Sequence, residues 1–312
     1  MKTAVRVWEL EKRYGSTLAL DGLDFSIGSG ELFGFIGPDG AGKTSLFRIL
    51  TTLLLPDRGG AAVLGMDVVR DLREVRKVIG YMPGRFSLYQ DLSVKENLSF
   101  FATVFGTTVA ENYELVRDIY GQIEPYRDRL AGKLSGGMKQ KLALSCALIH
   151  RPGILILDEP TTGVDAVSRR EFWDMLQRLR DEGLTILVST PYMDEASRCD
   201  RVALMQSGRI LGMDSPAAIA ASFPKPLYKL RAGDMYRLYG ALREFPATAS
   251  VYRFGQDLHL TAGQGMIPDQ DLLPYLQAQG LDDVVVAPCT PGIEDCFMEL
   301  LSENQNQHDA RR

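Results

Sequence analysis

Most features that would mark a secreted, metal-binding or membrane-spanning protein are scarce in this sequence. Its four cysteines (Cys146, Cys199, Cys289, Cys296) form no C-x-x-C pair. That argues against a zinc motif or disulfide framework and for reduced thiols. The three histidines (His150, His259, His308) have no metal-ligand spacing. No window nears the roughly 18 consecutive apolar residues of a membrane helix. The longest runs, such as Ile154 to Leu157, are strand-sized. The start, Met1-Lys2-Thr3-Ala4-Val5, has no secretory signal pattern. Charge of one sign is also missing. Lys plus Arg is 35 against 40 Asp plus Glu, a net of −5. Residues 1–222 hold 27 basic and 28 acidic side chains, and residues 223–312 hold 8 and 12. Neither part has the basic excess of a nucleic-acid binder. The expectation is a cytoplasmic chain with no nucleic-acid partner. Any membrane work would need a second chain to supply the membrane part.

What is present reads as globular: 45% hydrophobic and 24% charged over 312 residues, more than one average domain and fewer than three. Leu32-Phe33-Gly34-Phe35-Ile36 reads as a buried strand. Lys43 to Leu54 reads as a helix with Leu46, Ile49, Leu50 and Leu53 on one face, stopped at Pro56-Asp57-Arg58-Gly59-Gly60. Residues 93–120 read as mainly helical, and Ile154-Leu155-Ile156-Leu157 and Leu184 to Ser189 as further buried strands. Strands alternating with helices predict a parallel α/β sheet covered on both faces. Pro216, Pro224 and Pro226 mark a linker over 214–226. Beyond it the pattern is strand, helix, two strands around Phe254-Gly255-Gln256-Asp257, helix, strand, helix, enough for a small α+β domain.

Between the first buried strand and the first helix lies Gly37-Pro38-Asp39-Gly40-Ala41-Gly42-Lys43-Thr44, followed by Ser45. It matches G-x-x-x-x-G-K-[ST] in the strand–loop–helix setting that the chemistry needs. The glycines let backbone N–H groups close around phosphate oxygens, and the helix N-terminus adds a positive dipole end. Lys43 can reach the β- and γ-phosphates, and the Thr44 hydroxyl can bind Mg²⁺. No Asn-Lys-x-Asp guanine-reading motif occurs.

Three further motifs narrow the choice: Leu134-Ser135-Gly136-Gly137-Met138-Lys139-Gln140, Ile154-Leu155-Ile156-Leu157-Asp158-Glu159-Pro160 and Thr161-Thr162-Gly163-Val164-Asp165. With them the chain resembles the nucleotide-binding cassette of ABC transporters over about residues 3–215. The run Met193-Asp194-Glu195-Ala196-Ser197-Arg198-Cys199-Asp200-Arg201-Val202 and the C-terminal extension resemble cassettes of ABC-2 type exporters. The implied fold is a P-loop NTPase cassette: a parallel core sheet, an N-terminal antiparallel β part and a helical subdomain at about 86–150. The cassette would span 1–222, a small α+β regulatory or dimerisation domain 223–302, and a disordered tail 303–312.

The resemblance implies an ATPase that binds ATP and Mg²⁺ and powers a transmembrane permease on a separate chain, from the cytoplasmic face of the membrane. Asp158 closes an apolar strand, where a carboxylate can hold Mg²⁺ with Thr44. Glu159 is placed to polarise the attacking water. Ser135, Gly136 and Gly137 open a helix. Taken alone, Ser135 reads as an N-cap; in the family this helix start faces the γ-phosphate held by the opposite subunit. That implies a head-to-tail pairing with a second cassette, homodimeric or heterodimeric, with Asp165 in the matching inter-subunit loop. Tyr14 matches the aromatic on which the family stacks adenine; otherwise it is a surface or partly buried tyrosine. Phe86, Leu88, Tyr89 and Leu92 lie where the family meets the permease, and they read equally as local core.

Two positions depart from the family pattern. Gly84 stands where it has Gln, and Pro191 where it has His. The first normally contacts Mg²⁺ and the attacking water, the second the γ-phosphate. Neither glycine nor proline can replace those contacts. Losing one well-aimed polar group costs on the order of 3 kcal/mol at a transition state. These departures keep an alternative open: a catalytically weak, nucleotide-dependent cassette that regulates, or completes a partner's site.

Overall fold

The computed structural model describes residues 2–263 and 265–309, with side chains to residue 302. The chain separates into two compact units, Met1–Pro216 and Ala217–Arg312. The division falls at the start of the expected linker.

The first unit opens with a long hairpin, β1 (Thr3–Tyr14) and β2 (Thr17–Gly28). Alternation puts Val5 and Val7 of one strand and Leu23, Phe25 and Ile27 of the other on the buried face, and an irregularity at Glu9, with φ +43°, brings Leu10 to the buried side as well. The all-buried β3 (Leu32–Ile36) leads into α1 (Lys43–Leu50). β4 (Arg58–Val63) and β5 (Met66–Asp67) complete a four-stranded antiparallel sheet in the order β2-β1-β4-β5. Next come α2 (Leu72–Val78) and β6 (Ile79–Met82), then three helices, α3 (Val94–Val104), α4 (Val109–Tyr120) and α5 (Gly136–Leu148). The chain returns as β7 (Ile154–Asp158), α6 (Ala166–Asp181), β8 (Thr185–Thr190), β9 (Arg201–Gln206) and β10 (Arg209–Asp214).

The central sheet has the order β10-β9-β3-β8-β7-β6, parallel from β9 to β6 with β10 as an antiparallel edge. The two sheets enclose α1. Phe47 of this helix meets Phe35 of β3 edge-on at 5.5 Å, and Phe35 meets Phe25 of β2 at 5.4 Å. α1 is shorter than its periodicity predicts. Thr52 takes φ +62°, and the N–H groups of Leu53 and Leu54 turn back onto Arg48 O. Leu53, expected on the buried face, is 58% exposed.

α7 (Pro216–Ala221) occupies the expected linker, where alanines supply helix propensity after an N-terminal proline. The second unit continues as β11 (Leu227–Arg231), α8 (Met235–Glu244), β12 (Thr248–Phe254), β13 (Asp257–Ala262), α9 (Leu273–Ala278), β14 (Val285–Pro288) and α10 (Ile293–Asp309). Its sheet runs β12-β13-β11-β14, antiparallel throughout, and α8 and α9 pack Leu238, Leu242 and Leu276 against Leu230, Leu258 and Leu260. The order of elements is the one the sequence pattern predicts. Residues 303–309 of the expected tail carry helical backbone that continues α10 to Asp309; residues 310–312 lie outside the described residues. Among the described residues no helix is long and apolar enough to cross a membrane.

Candidate functional site

Ligands of parallel sheets bind at strand C-termini where neighbouring crossovers diverge. Register brings three such ends together here. Ile36 pairs with Thr190, and Asp158 pairs with Ser189, so the tips of β3, β8 and β7 lie side by side. The loop from Gly37 to Gly42 leaves β3 at this point.

Two of its glycines are required by packing. A Cβ on Gly37 would sit 2.2 Å from the Met205 carbonyl oxygen, and one on Gly42, at φ +104°, 2.5 Å from Ala19 O. Both neighbours are backbone and cannot swing away. Gly37→Ala is therefore expected to destabilise the chain by about 1–3 kcal/mol and to lose nucleotide binding. A thermal melt with and without Mg-ATP checks both effects.

Lys43 is only 3% exposed. Its ammonium donates to Gly37 O at 2.7 Å and Pro38 O at 3.0 Å and lies 3.5 Å from Glu159 Oε1. Asp158 is buried, with Ser189 Oγ donating to its Oδ1 at 2.5 Å and Thr44 Oγ1 at 3.3 Å. Burial, with the Asp158 charge added, pushes the neighbouring Tyr81 phenol up to about 12. Glu159 takes φ +50°, uncommon for a residue with a side chain. It is held there by its N–H, which donates to Ser189 Oγ at 3.0 Å and Ser189 O at 3.1 Å. Backbone strain of order 1–3 kcal/mol tends to concentrate at functional sites. Here it turns the Glu159 carboxylate towards Lys43.

The sequence motifs assign no role to the residues that brace this arrangement, although Glu195 lies within the run Met193 to Val202. Ser189 orients Asp158 and anchors Glu159. Glu195, buried at a short helical turn, takes the hydroxyls of Thr161 at 2.8 Å and Thr190 at 2.5 Å, with Arg169 at 3.8 Å. It thereby ties the segment after Glu159 to the end of β8. Pro191 follows directly, and Gly37 N donates to Thr190 O at 3.3 Å, so residue 191 borders the phosphate loop. Gly84 follows β6, whose Met82 pairs with Leu157. A Cβ there would lie 3.1 Å from Asp158 O and 3.8 Å from Glu159 Cβ. Both departures from the family pattern thus border the carboxylates and the loop.

The other expected residues fall in three places. Tyr14 is 46% exposed, with its hydroxyl 3.5 Å from Ser45 Oγ on the first turn of α1. Asp39 and Gly40 are exposed at the tip of the loop and Ala41 is buried. Ser135 and Gly136 are exposed at the start of α5, where Ser135 Oγ accepts Met138 N at 3.4 Å, an N-cap. Among the described residues they bond to none of the phosphate-loop side chains. Gly137 is buried; a Cβ there would meet Ser168 Oγ at 2.7 Å. Asp165 caps α6 through Val167 N and Ser168 N, and the Ser168 bonds hold its carboxyl below the usual range.

Phe86 and Leu88 line a cavity of about 500 Å³ with Phe101, Val104, Phe105 and His150; Tyr89 and Leu92 are not in its wall. Leu88 is core. Tyr89 is 51% exposed and meets Phe100 edge-on at 4.8 Å. Fully buried Asn97 fixes this loop, bonding Tyr89 N and O and Leu92 O. His150 stacks on Phe105 at 3.7 Å, and burial holds its pKa down.

The residues present suit nucleotide and a hard divalent cation. A backbone cradle and buried ammonium match phosphate oxygens, and the Thr44 hydroxyl beside the Asp158 carboxylate is an all-oxygen donor set of the kind Mg²⁺ takes.

Comparison with known proteins agrees. The ABC transporter family model matches residues 20–162. A probable multidrug ABC transporter ATP-binding protein of Escherichia coli (strain K12) is 39% identical over 300 residues, 94% of this chain and 51% of that protein. The chain thus spans about half of that relative's length. The Nod factor export ATP-binding protein I of Rhizobium sp. (strain N33) is 34% identical over 303 residues, 96% of this chain and 97% of that one. Among solved structures, the cbiO1 protein of Clostridium perfringens, part of the ABC transporter complex cbiONQ, superposes with TM-score 0.64 at 28% identity, over 71% of this chain and 92% of that one. Sheet order, phosphate loop, strand-end carboxylates and these likenesses together place the chain among the ATP-binding proteins of ABC transporters, a family of P-loop ATPase cassettes.

Proposed function

We propose that this chain is the ATP-binding and ATP-hydrolysing subunit of an exporter whose membrane-spanning permease is a separate chain. The observation that carries the ATPase part is the convergence of Lys43, Thr44, Asp158 and Glu159 at three adjacent strand ends. Bound Mg²⁺ would be held by Thr44 and Asp158 and would neutralise charge on the phosphates. The loop N–H groups and Lys43 orient the γ-phosphoryl group, and Glu159 takes a proton from the attacking water. The names of the two relatives, a multidrug transporter and a Nod factor export protein, support the export reading.

Ser135 and Gly136 are exposed and apart from the loop of their own chain, which supports a second cassette supplying that helix start across a dimer, with Tyr14 against the adenine. The exposed Tyr89 and the cavity beside Phe86 suit an apolar segment of the permease at the cytoplasmic face of the membrane. The second unit serves dimerisation or regulation. Gly84 and Pro191 favour one specific variant of this reading: a slow site whose intact signature completes that of a more typical partner.

The experiment is light scattering on the purified chain carrying Glu159→Gln, with Mg-ATP and with Mg-ADP. ATP alone is expected to drive dimerisation, and Ser135→Arg to abolish it. A monomer under every condition, with no polytopic membrane protein co-purifying, overturns the proposal.

A further inference from the structure

We infer that Cys289, His259 and Asp295 form a nucleophilic thiol site in the second unit that adds covalently to apolar α,β-unsaturated carbonyl compounds. β13 supplies His259, α10 supplies Asp295, and Cys289 follows β14. His259 Nδ1 lies 2.7 Å from Asp295 Oδ1, and the other oxygen of Asp295 accepts Gly292 N at 2.9 Å. Asp295 is buried, so this carboxylate is pinned on both sides. An ionised carboxylate only accepts, which places a ring proton on Nδ1; in the neutral ring Nε2 is then the acceptor. Nε2 lies 4.0 Å from Cys289 Sγ, whose thiol also donates to Thr290 O at 3.5 Å, and Phe254 braces the ring edge-on at 4.8 Å. The order carboxylate, imidazole, thiol is that of an activated nucleophile.

The thiol also opens onto a cavity. Cys289 stands in the wall of a space of about 720 Å³ lined mainly by apolar side chains, among them Phe223, Pro226, Leu227, Tyr228 and Pro291. The other three cysteines are buried. Burial and the charge of Asp295 hold the Cys289 thiol up, so it rests protonated and needs a base to react. No metal reading competes: among the described residues no group of three or more His, Cys, Asp or Glu is arranged to hold an ion.

The step balances without a further reagent. The thiol proton moves to His259 Nε2, and the sulfur forms a bond to the β-carbon. The C=C electron pair shifts to give an enolate, and His259 returns the proton to the α-carbon. Asp295 acts as a positioning residue, holding the tautomer and stabilising the imidazolium.

The test uses the full chain with N-phenylmaleimide as the apolar acceptor and acrylamide as a small polar one, read by intact mass and peptide mapping over a concentration series. One adduct on Cys289 is expected, with saturation by N-phenylmaleimide and none by acrylamide. His259→Gln should lower the maximal rate about a hundredfold with little change in the half-saturating concentration. Asp295→Asn should lower the rate in the same sense, while Asp295→Glu retains part of it. Ala220→Trp, which narrows the cavity and leaves Cys289, His259 and Asp295 themselves unchanged, should raise the half-saturating concentration and leave the maximal rate. Equal maximal rates in natural chain and His259→Gln, both folded by thermal melt, would overturn the proposal. So would labelling that rises linearly with both reagents, the behaviour of a merely accessible thiol.

Discussion

The double variant Gly84→Gln, Pro191→His is expected to turn over ATP about a hundredfold or more faster than the natural chain. Position 84 is aimed at the chemistry. Parallel pairing of β6 with β7 carries the backbone past Met82 to the side of Asp158. A Cβ at 84 would touch Asp158 O and Glu159 Cβ at 3.1 and 3.8 Å, so a glutamine there starts beside the two residues that carry the carboxylates. The first contact needs a shift of a few tenths of an ångström, and Gly84 is not among the residues with positive φ, so its backbone accepts a side chain. Position 191 borders the phosphate loop through the Gly37 N to Thr190 O bond, and Arg169, stacked on Tyr192 at 4.3 Å, holds the residue that follows. Histidine there restores a side-chain donor that proline lacks. Each recovered contact is worth about a hundredfold, and groups acting on one transition state do not add simply, so the pair should fall between about 10² and 10⁴. Phosphate release at saturating Mg-ATP measures it, with the single variants in between. A rate unchanged in all three would show that other residues already do this work, and the reading as a partner-completing cassette would fall.

The phosphate loop was legible because its constraint is local. A backbone cradle needs glycine at fixed spacing, and packing against Met205 O and Ala19 O sharpens that need. Asp158 and Glu159 were legible because two acids closing an apolar strand are costly unless a cation meets them there. The braces were not. Ser189 and Glu195 act on partners 31 and 34 residues away, and a hydroxyl meeting a carboxylate across strands leaves no spacing signature. Leu53 was misplaced for a different reason. Apolar periodicity continues past Leu50, but Thr52 leaves the helical region and the face rotates out to solvent. The alanines of α7 were outweighed by the prolines around them. In the second unit the element order was readable from alternation and turn residues, yet His259 showed no partner in sequence. Asp295 and Cys289 lie 36 and 30 residues away, on a helix and after a strand that only the antiparallel sheet brings together.

Glu159→Gln should lower ATP turnover by about 10²–10⁴ while leaving ATP affinity within about threefold, the signature of a lost general base. Glutamine keeps the size of the side chain and its backbone bonds to Ser189 but cannot accept a proton. The ammonium of Lys43 loses only the most distant of its three partners, at 3.5 Å, and keeps Gly37 O and Pro38 O. Phosphate binding through Lys43 and the loop therefore persists. Single-turnover measurement with enzyme in excess gives the needed range if the natural rate is slow, and the Gly84→Gln, Pro191→His background widens it. In that background the same loss must appear at the higher rate. If the restored chain keeps its speed when Glu159→Gln is added, then Glu159 is not the base. The φ of +50° would then serve only to place the Glu159 carboxylate beside Lys43.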